Sequence, residues 1–309
     1  MKRLFAIVQL IALIAFTGSI LAGEPSNLDS QQETKRPAGN AEKLAVESGF
    51  IQLDGGKIFY EAAGQGPVIV MIHDGLLHRE TWNAQFSVFA KQHRVIRWDR
   101  RGYGRSPAPT LPFSQLDDLF EVMKALNLER AALVACSAGG MLAIHFALDH
   151  PQMVSALVLV GPIVSGLDFS DHFAARGNRG MPANNAPVEQ KIEYWTSKDP
   201  WIMAPDSTAA RQKLKALMSA NPQNLAGTGQ QLARWPDQPA LPRLSQIKVP
   251  TLLVVGESDI PDVHAHVGAI QAGIAGSERI VLNHSGHLPH LEVPDLFNEV
   301  VLGFLNNIK

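Results

Sequence analysis

Ala131-Ala132-Leu133-Val134-Ala135-Cys136-Ser137-Ala138-Gly139-Gly140 is the stretch whose reading decides the fold. Six small or apolar residues in a row predict a strand over 131–136 that is buried on both faces. The run stops abruptly at a serine, and helix formers follow from Met141 to Leu148. A strand, a sharp turn and a helix would present the Ser137 hydroxyl at a strand's carboxyl end. Small neighbours suit that turn, because a nucleophile placed there holds a strained backbone conformation that a bulky flanking side chain would obstruct. Taken alone, the same residues make an ordinary tight connection equally well.

The rest of the chain repeats the strand–helix rhythm. Phe50–Leu53 and Lys57–Tyr60 flank Asp54-Gly55-Gly56, which predicts an antiparallel hairpin. A buried strand is expected over 67–72, followed by His73-Asp74-Gly75-Leu76, a helix over 82–91 and a strand over 94–98. Ser114-Gln115-Leu116-Asp117 reads as a helix start, and Leu116, Leu119, Phe120, Met123 and Leu126 recur at helical spacing after it. Val154–Val160 is the next apolar run. The rhythm then fails from Gly161 until Val249, where Pro250–Gly256 restores it. A last strand over 278–282 precedes a terminal helix over 294–308. Strands alternating with helices predict an α/β fold, a mostly parallel doubly wound sheet covered on both faces.

With 309 residues the chain is long enough for one large domain carrying an insertion, and equally for two ordinary domains. A formal charge of -2, with no basic stripe, excludes a nucleic-acid surface. Lys2 and Arg3, an apolar run to Phe16 that continues weakly to Leu21, and Ala22-Gly23 follow the order of a signal peptide cut after Ala22. That order points to a periplasmic or secreted protein; the competing reading of the same residues is an uncleaved membrane anchor. Once the segment is cut, no stable membrane partner is expected. The polar stretch 23–43 reads as a flexible linker. Cys136 is the one cysteine, so no intramolecular disulfide can form.

In open parallel sheets, chemistry collects on loops at the carboxyl ends of strands. Four such loops here carry Ser137, Glu257-Ser258-Asp259, His284-Ser285-Gly286-His287 and His73-Asp74-Gly75. A serine hydroxyl needs a base to remove its proton, and the base works best when a carboxylate fixes its tautomer. For the acid, Glu257 and Asp262 compete with Asp259, which the Gly-Glu-x-Asp context favours. For the base, His284 and His290 compete with His287, which alone directly follows Ser-Gly. His73 reads as a structural residue of its turn, and Asp99 and Arg100 as braces for the loops beside it. Cys136 reads as packing. His264 and His266 suggest a metal pair but have no third ligand in view, so a solvated face is expected for them.

On these residues the chain, from about Leu44 onward, resembles the α/β-hydrolase fold family, in its serine esterase and enol-lactone hydrolase branch. That family's Gly-x-Ser-x-Gly elbow matches Ala135-Cys136-Ser137-Ala138-Gly139, with alanine in place of the first glycine. The resemblance implies Ser137 as nucleophile, Asp259 as acid and His287 as base. It implies an oxyanion hole from the amides of Gly75 and Ala138, with Asp74 standing where glycine is common. It implies no cofactor and no metal. The core would be 44–162 with 248–309, and 163–247 a helical cap whose aromatic residues pack it and in part line a pocket. The expected partner is a small-molecule ester or lactone with an apolar group; the same triad would also serve a carbon–carbon bond hydrolase or a perhydrolase. A non-catalytic binding module on this fold would be marked by loss of a triad member, and none is missing. Nothing in the sequence sets an oligomeric state. Export predicts that the mature chain starts at Gly23 when cell fractions are sequenced from the N-terminus; an intact Met1 in the soluble cytoplasm would contradict it.

Overall fold

The computed structural model describes residues 44–177, 181–183 and 185–308. The expected signal peptide over 1–22 and the linker over 23–43 lie outside the described residues. In chain order the elements of the first half are β1 (Val46–Leu53), β2 (Gly56–Ala63), β3 (Val68–Ile72), α1 (Asn83–Phe89), β4 (Arg94–Trp98), β5 (Phe113–Ser114), α2 (Gln115–Ala125), β6 (Ala131–Cys136), α3 (Ala138–Asp149) and β7 (Val154–Val160). Then come α4 (Asp171–Gly177), α5 (Val188–Glu193), α6 (Thr208–Ala220), β8 (Ala233–Arg234), β9 (Thr251–Gly256), α7 (Pro261–Gly273), β10 (Glu278–Leu282), α8 (Pro289–Glu292) and α9 (Pro294–Asn306).

Eight strands form one sheet in the order β1-β2-β4-β3-β6-β7-β9-β10. The β1–β2 and β2–β4 pairings are antiparallel, and every pairing from β4 to β10 is parallel. β6 and β9 are buried at every residue, as their uncharged sequences require. Alternation along the strands divides the core in two. Val70, Ile72, Leu133 and Ala135 face α2, α3 and α7, while Ile69, Met71, Val134 and Cys136 face α1 and α9. The start of α2 is fixed as its sequence suggests, with Ser114 Oγ accepting the Asp117 amide at 3.2 Å. α3 begins directly after Ser137, three residues earlier than the apolar pattern indicates.

The chain crosses from β3 to β4 on one side, then to β6 on the other. Connections leaving β3 and β6 in opposite directions open a crevice at the carboxyl ends of these strands. Everything described below stands around it.

Between β7 and β9 the chain leaves the sheet. α5 is followed by a wide turn, in which the Asp199 amide reaches the Tyr194 carbonyl at 2.9 Å. β8 pairs in parallel with β5, a contact of two-residue strands that are too short to carry a periodic signal. Departure and return are strapped together at Ser165. Its Oγ accepts the Ala240 amide at 2.8 Å and shares a 2.8 Å bond with His145 Nε2, and its carbonyl accepts the Leu241 amide. Beside it, the Val164 amide donates to His266 Nδ1 at 3.1 Å.

That bond corrects the expectation of a solvated face for His264 and His266. Two residues apart on a helix are about 200° apart around it. His264 accordingly lies toward Arg279, and His266 turns inward and is buried.

Burial lowers the pKa values of His145 and His266 to about 4, and that of His290, stacked on Trp82, to about 3. These rings are neutral in the fold, whereas in the unfolded chain they bind protons near pH 6.5. The unfolded state therefore gains protons first on acidification. Stability from these groups is complete above about pH 6.5 and is lost as pH falls toward 4. Each should cost about 1–2 kcal/mol between pH 7 and pH 5. Thermal unfolding followed across that range should show the fall, and His266→Gln, which keeps an acceptor for Val164 but cannot be protonated, should flatten it. An unchanged slope in the variant would count against this account.

Candidate active site

Ser137 holds φ 53° and ψ -116°, one of three positive-φ non-glycine residues described. Such a conformation costs about 1–3 kcal/mol and persists only where its surroundings dictate it. Here the Ser137 amide is tied to the Val160 carbonyl at 2.9 Å, and the Ser137 carbonyl accepts the Met141 amide at 3.1 Å. Gly139 explains the tightness. A Cβ on it would lie 2.6 Å from the His73 carbonyl oxygen and 2.8 Å from that of Ile72. Only glycine lets the start of α3 press against the end of β3. Ala135 and Cys136 are fully buried; burial raises the Cys136 thiol pKa well above its ordinary value, so it packs as a neutral thiol.

The turn after β3 is clamped at nearly every polar group. His73 is buried, and desolvation holds its pKa well below the ordinary value. Its Nε2 accepts the Arg100 amide at 3.0 Å, so the proton sits on Nδ1, which donates to the Asp74 carbonyl at 2.8 Å. Arg100 Nη2 donates to the same carbonyl at 2.8 Å, and Tyr103 donates its hydroxyl to the Gly75 carbonyl at 3.0 Å. Asp74 Oδ1 accepts the Leu76 and Leu77 amides at 2.6 and 2.9 Å. Among the described residues, no acceptor takes the Gly75 amide. A Cβ on Gly75 would lie 3.7 Å from that of Ala138, the first residue of α3, whose leading amides have no acceptor within the helix. Two backbone donors thus stand side by side.

On the far side of Ser137, His287 Nδ1 lies 2.9 and 3.0 Å from the two carboxylate oxygens of Asp259. An ionised carboxylate only accepts, so Nδ1 carries the proton and Nε2 is left as a base. Asp259 Oδ1 also accepts the Ile260 amide at 2.7 Å. The competing residues go elsewhere. Glu257 is exposed, and Asp262 accepts the Ser170 amide. His284 is exposed near Asp206, and His290 is buried against Trp82 and Thr81.

Glu292 is a support that the sequence reading missed. Its Oε2 accepts the Gly286 amide at 2.7 Å, and its Oε1 accepts the Ala204 amide and the Ser207 hydroxyl. The His287 amide donates to the Trp201 carbonyl at 2.9 Å. Gly161 is another: with φ 49°, a Cβ there would meet Asp259 Oδ2 at 3.0 Å and His287 Nδ1 at 3.1 Å. Neither residue stands in a motif, so only the long-range contacts reveal them.

Gly75, Ala138, Ser137 and His287 open onto one cavity of about 430 Å³. Its far walls come from the segment between β7 and β9. Phe169, Phe173 and Trp195 line it, while Tyr194, Trp201, Met203 and Trp235, large residues of the same segment, are not on its wall. Lys191, Asn224 and Gln230 add polar groups. This volume suits a small ligand with an apolar part. Among the described residues, no group of three or more His, Cys, Asp or Glu is placed to hold a metal ion.

Comparison with known proteins bears on the fold. Residues 67–294 match the alpha/beta hydrolase fold family. The 2-hydroxy-6-oxo-6-phenylhexa-2,4-dienoate hydrolase of Comamonas testosteroni is 27% identical over 88% of this chain and 99% of its own. The pimeloyl-acyl-carrier protein methyl ester esterase of Vibrio vulnificus is 27% identical over 80% of this chain and 97% of its own. Among solved structures, Est816, an N-acyl homoserine lactone degrading enzyme, superposes with a TM-score of 0.66 at 29% identity, covering 83% of this chain and 100% of its own.

The approach of α3 to β3 yields a paired prediction. Gly139→Ala should cost about 1–3 kcal/mol in urea unfolding, because the added methyl meets backbone that cannot move aside. Gly268→Ala, in α7 with nothing within 4 Å of the new Cβ, should be neutral or stabilising by up to about 1 kcal/mol. The reverse order would refute the close-approach argument.

Proposed function

The chain belongs to the alpha/beta hydrolase fold family, and from that premise we propose that it is an exported serine hydrolase of small carboxylic esters or lactones, working through an acyl-enzyme. The observation that carries this reading is that His287, paired with Asp259, opens onto the same cavity as a positive-φ serine. His287 Nε2 takes the proton of Ser137 Oγ as the oxygen attacks the substrate carbonyl. The Gly75 and Ala138 amides receive the negative charge that develops on the carbonyl oxygen. His287 then returns the proton to the leaving alcohol, and a water molecule repeats the sequence on the acyl-enzyme. Asp259 holds the imidazole in the tautomer this needs and steadies its positive charge. Residues 163–247 act as the cap, and their apolar wall supports a substrate with an apolar group.

A carbon–carbon bond hydrolase is the second reading, supported by the Comamonas testosteroni relative. The esterase and the lactone-degrading relatives support ester-type chemistry at similar identity. A fluorophosphonate probe should label the mature protein at Ser137 alone, and Ser137→Ala should lose labelling and about ten-thousandfold or more of ester hydrolysis. Labelling elsewhere, or full activity in the variant, would overturn the mechanism. If wild-type protein is labelled at Ser137 yet cleaves no ester or lactone while turning over a vinylogous 1,5-diketone, the second reading replaces the first.

A further inference from the structure

Among the buried arginines described, Arg79 pairs with Asp99, Arg97 with Glu61 and Arg101 with Asp118. Arg100 is 3% exposed, and among the described residues it pairs with no carboxylate. Its Nη1 donates to the side-chain oxygen of Gln115 at 3.1 Å and its Nη2 to the Asp74 carbonyl at 2.8 Å, both neutral acceptors. The carboxylate of Asp74 itself directs Oδ1 to the Leu76 and Leu77 amides. A guanidinium cannot shed its proton, so the charge stays in the interior, where an uncompensated ion is costly.

The place of that charge is specific. Asp74 C=O and Gly75 N–H belong to one peptide group, and in the trans form the two bonds point in opposite directions. Arg100 Nη2 and His73 Nδ1, each at 2.8 Å, hold the carbonyl end. The amide therefore points the other way; no described acceptor takes it, and Gly75 lines the cavity. Donors on a carbonyl also polarise its peptide group and strengthen the N–H. With the width of a peptide group and one further hydrogen bond added to that contact, the guanidinium lies about 7–8 Å from an oxygen held by the amide. We propose that Arg100 is a positioning residue of the oxyanion hole: it aims the Gly75 amide at the substrate carbonyl oxygen and sets behind it a positive charge that no carboxylate cancels. The inference rests on the serine-hydrolase reading, because it needs the oxyanion of an acyl transfer at Gly75. A charge in that place meets the negative charge of the transition state and is of little use to the neutral ester.

The test follows p-nitrophenyl butanoate hydrolysis, with rates taken per Ser137 site labelled to completion by a fluorophosphonate, so that only competent protein is counted. Arg100→Met should lower kcat by about ten- to hundredfold and leave KM within about threefold. Arg100→Lys, which keeps a positive charge and a donor for the Asp74 carbonyl, should recover most of that loss. Should Arg100→Met fail to fold, Arg100→Gln, which is neutral, takes its place with the same expected loss. Two ketones supply a readout that a merely structural loss would not move. Trifluoromethyl propyl ketone binds by adding Ser137 Oγ to its carbonyl carbon, with the hydroxyl proton passing to His287 Nε2 and the carbonyl electron pair to the oxygen. Methyl propyl ketone binds without addition and carries no such charge. The neutral variant should weaken inhibition by the first by about the factor lost in kcat, and by the second by less than about threefold. Equal weakening of both ketones, a loss confined to KM, or an Arg100→Lys enzyme as slow as the neutral variant overturns the assignment. Failure of the underlying reading looks different: Ser137→Ala would then cleave the ester as the wild type does, and the two ketones would inhibit the wild type alike.

Discussion

The site depends on one close approach of backbone to backbone. Gly139 brings the first turn of α3 against the carbonyl oxygens of Ile72 and His73, at distances that no side chain could share. From that contact follow the positive φ of Ser137, the nearness of Gly75 to Ala138, and the pairing of two unsatisfied amides. The strain is sustained because β6 is buried throughout and its neighbours at all but one residue each, so the sheet cannot relax around the turn. A rigid apolar platform thus maintains a local conformation that would not persist in a free peptide.

Around this contact lies a second, polar layer. Asp99 accepts the Arg79 amide and guanidinium and the Arg105 amide, and its carbonyl accepts the Ser106 hydroxyl. Arg79 reaches on to Glu61, which also pairs with Arg97. Buried charges of this kind add little net stability, yet each one is needed once the others are in place. Their effect here is positional. They fix the loop that carries Arg100 and Tyr103, and those two residues hold the turn bearing Gly75. The loops after β3 and β4 are thereby joined beside the crevice between β3 and β6.

Much of this was legible in the sequence, for reasons that differ from residue to residue. The strands at 131–136, 154–160 and 251–256 could be read because a strand buried on both faces excludes charged residues over its whole length. Ser137, Asp259 and His287 could be picked out because each follows such a strand, and the structure brings them to the same crevice. Asp99 and Arg100 were read as braces, and they are braces. The unread part consists of contacts between segments far apart in the chain. Gly161 matters because of what lies beside it, not because of its neighbours in sequence, and the same holds for Glu292. The inward turn of His266 depends on which face of α7 meets the departing chain at Val164. β5 and β8 become strands only through each other.

The bonds of Glu292 have a mechanical consequence. One carboxylate holds both the loop before His287 and the stretch from Ala204 to Ser207, and the His287 amide is itself fastened to Trp201. The base and that end of the roof are therefore a single lever, and any lifting of the roof there would drag the imidazole with it. The opposite wall, from Asn224 to Gln231, is joined to the body through side-chain amides of Asn224 and Gln230 that reach Gly104 and Arg101. Alignment of the imidazole is in this way tied to the Ala204–Ser207 edge of the roof rather than to the Asn224–Gln231 edge.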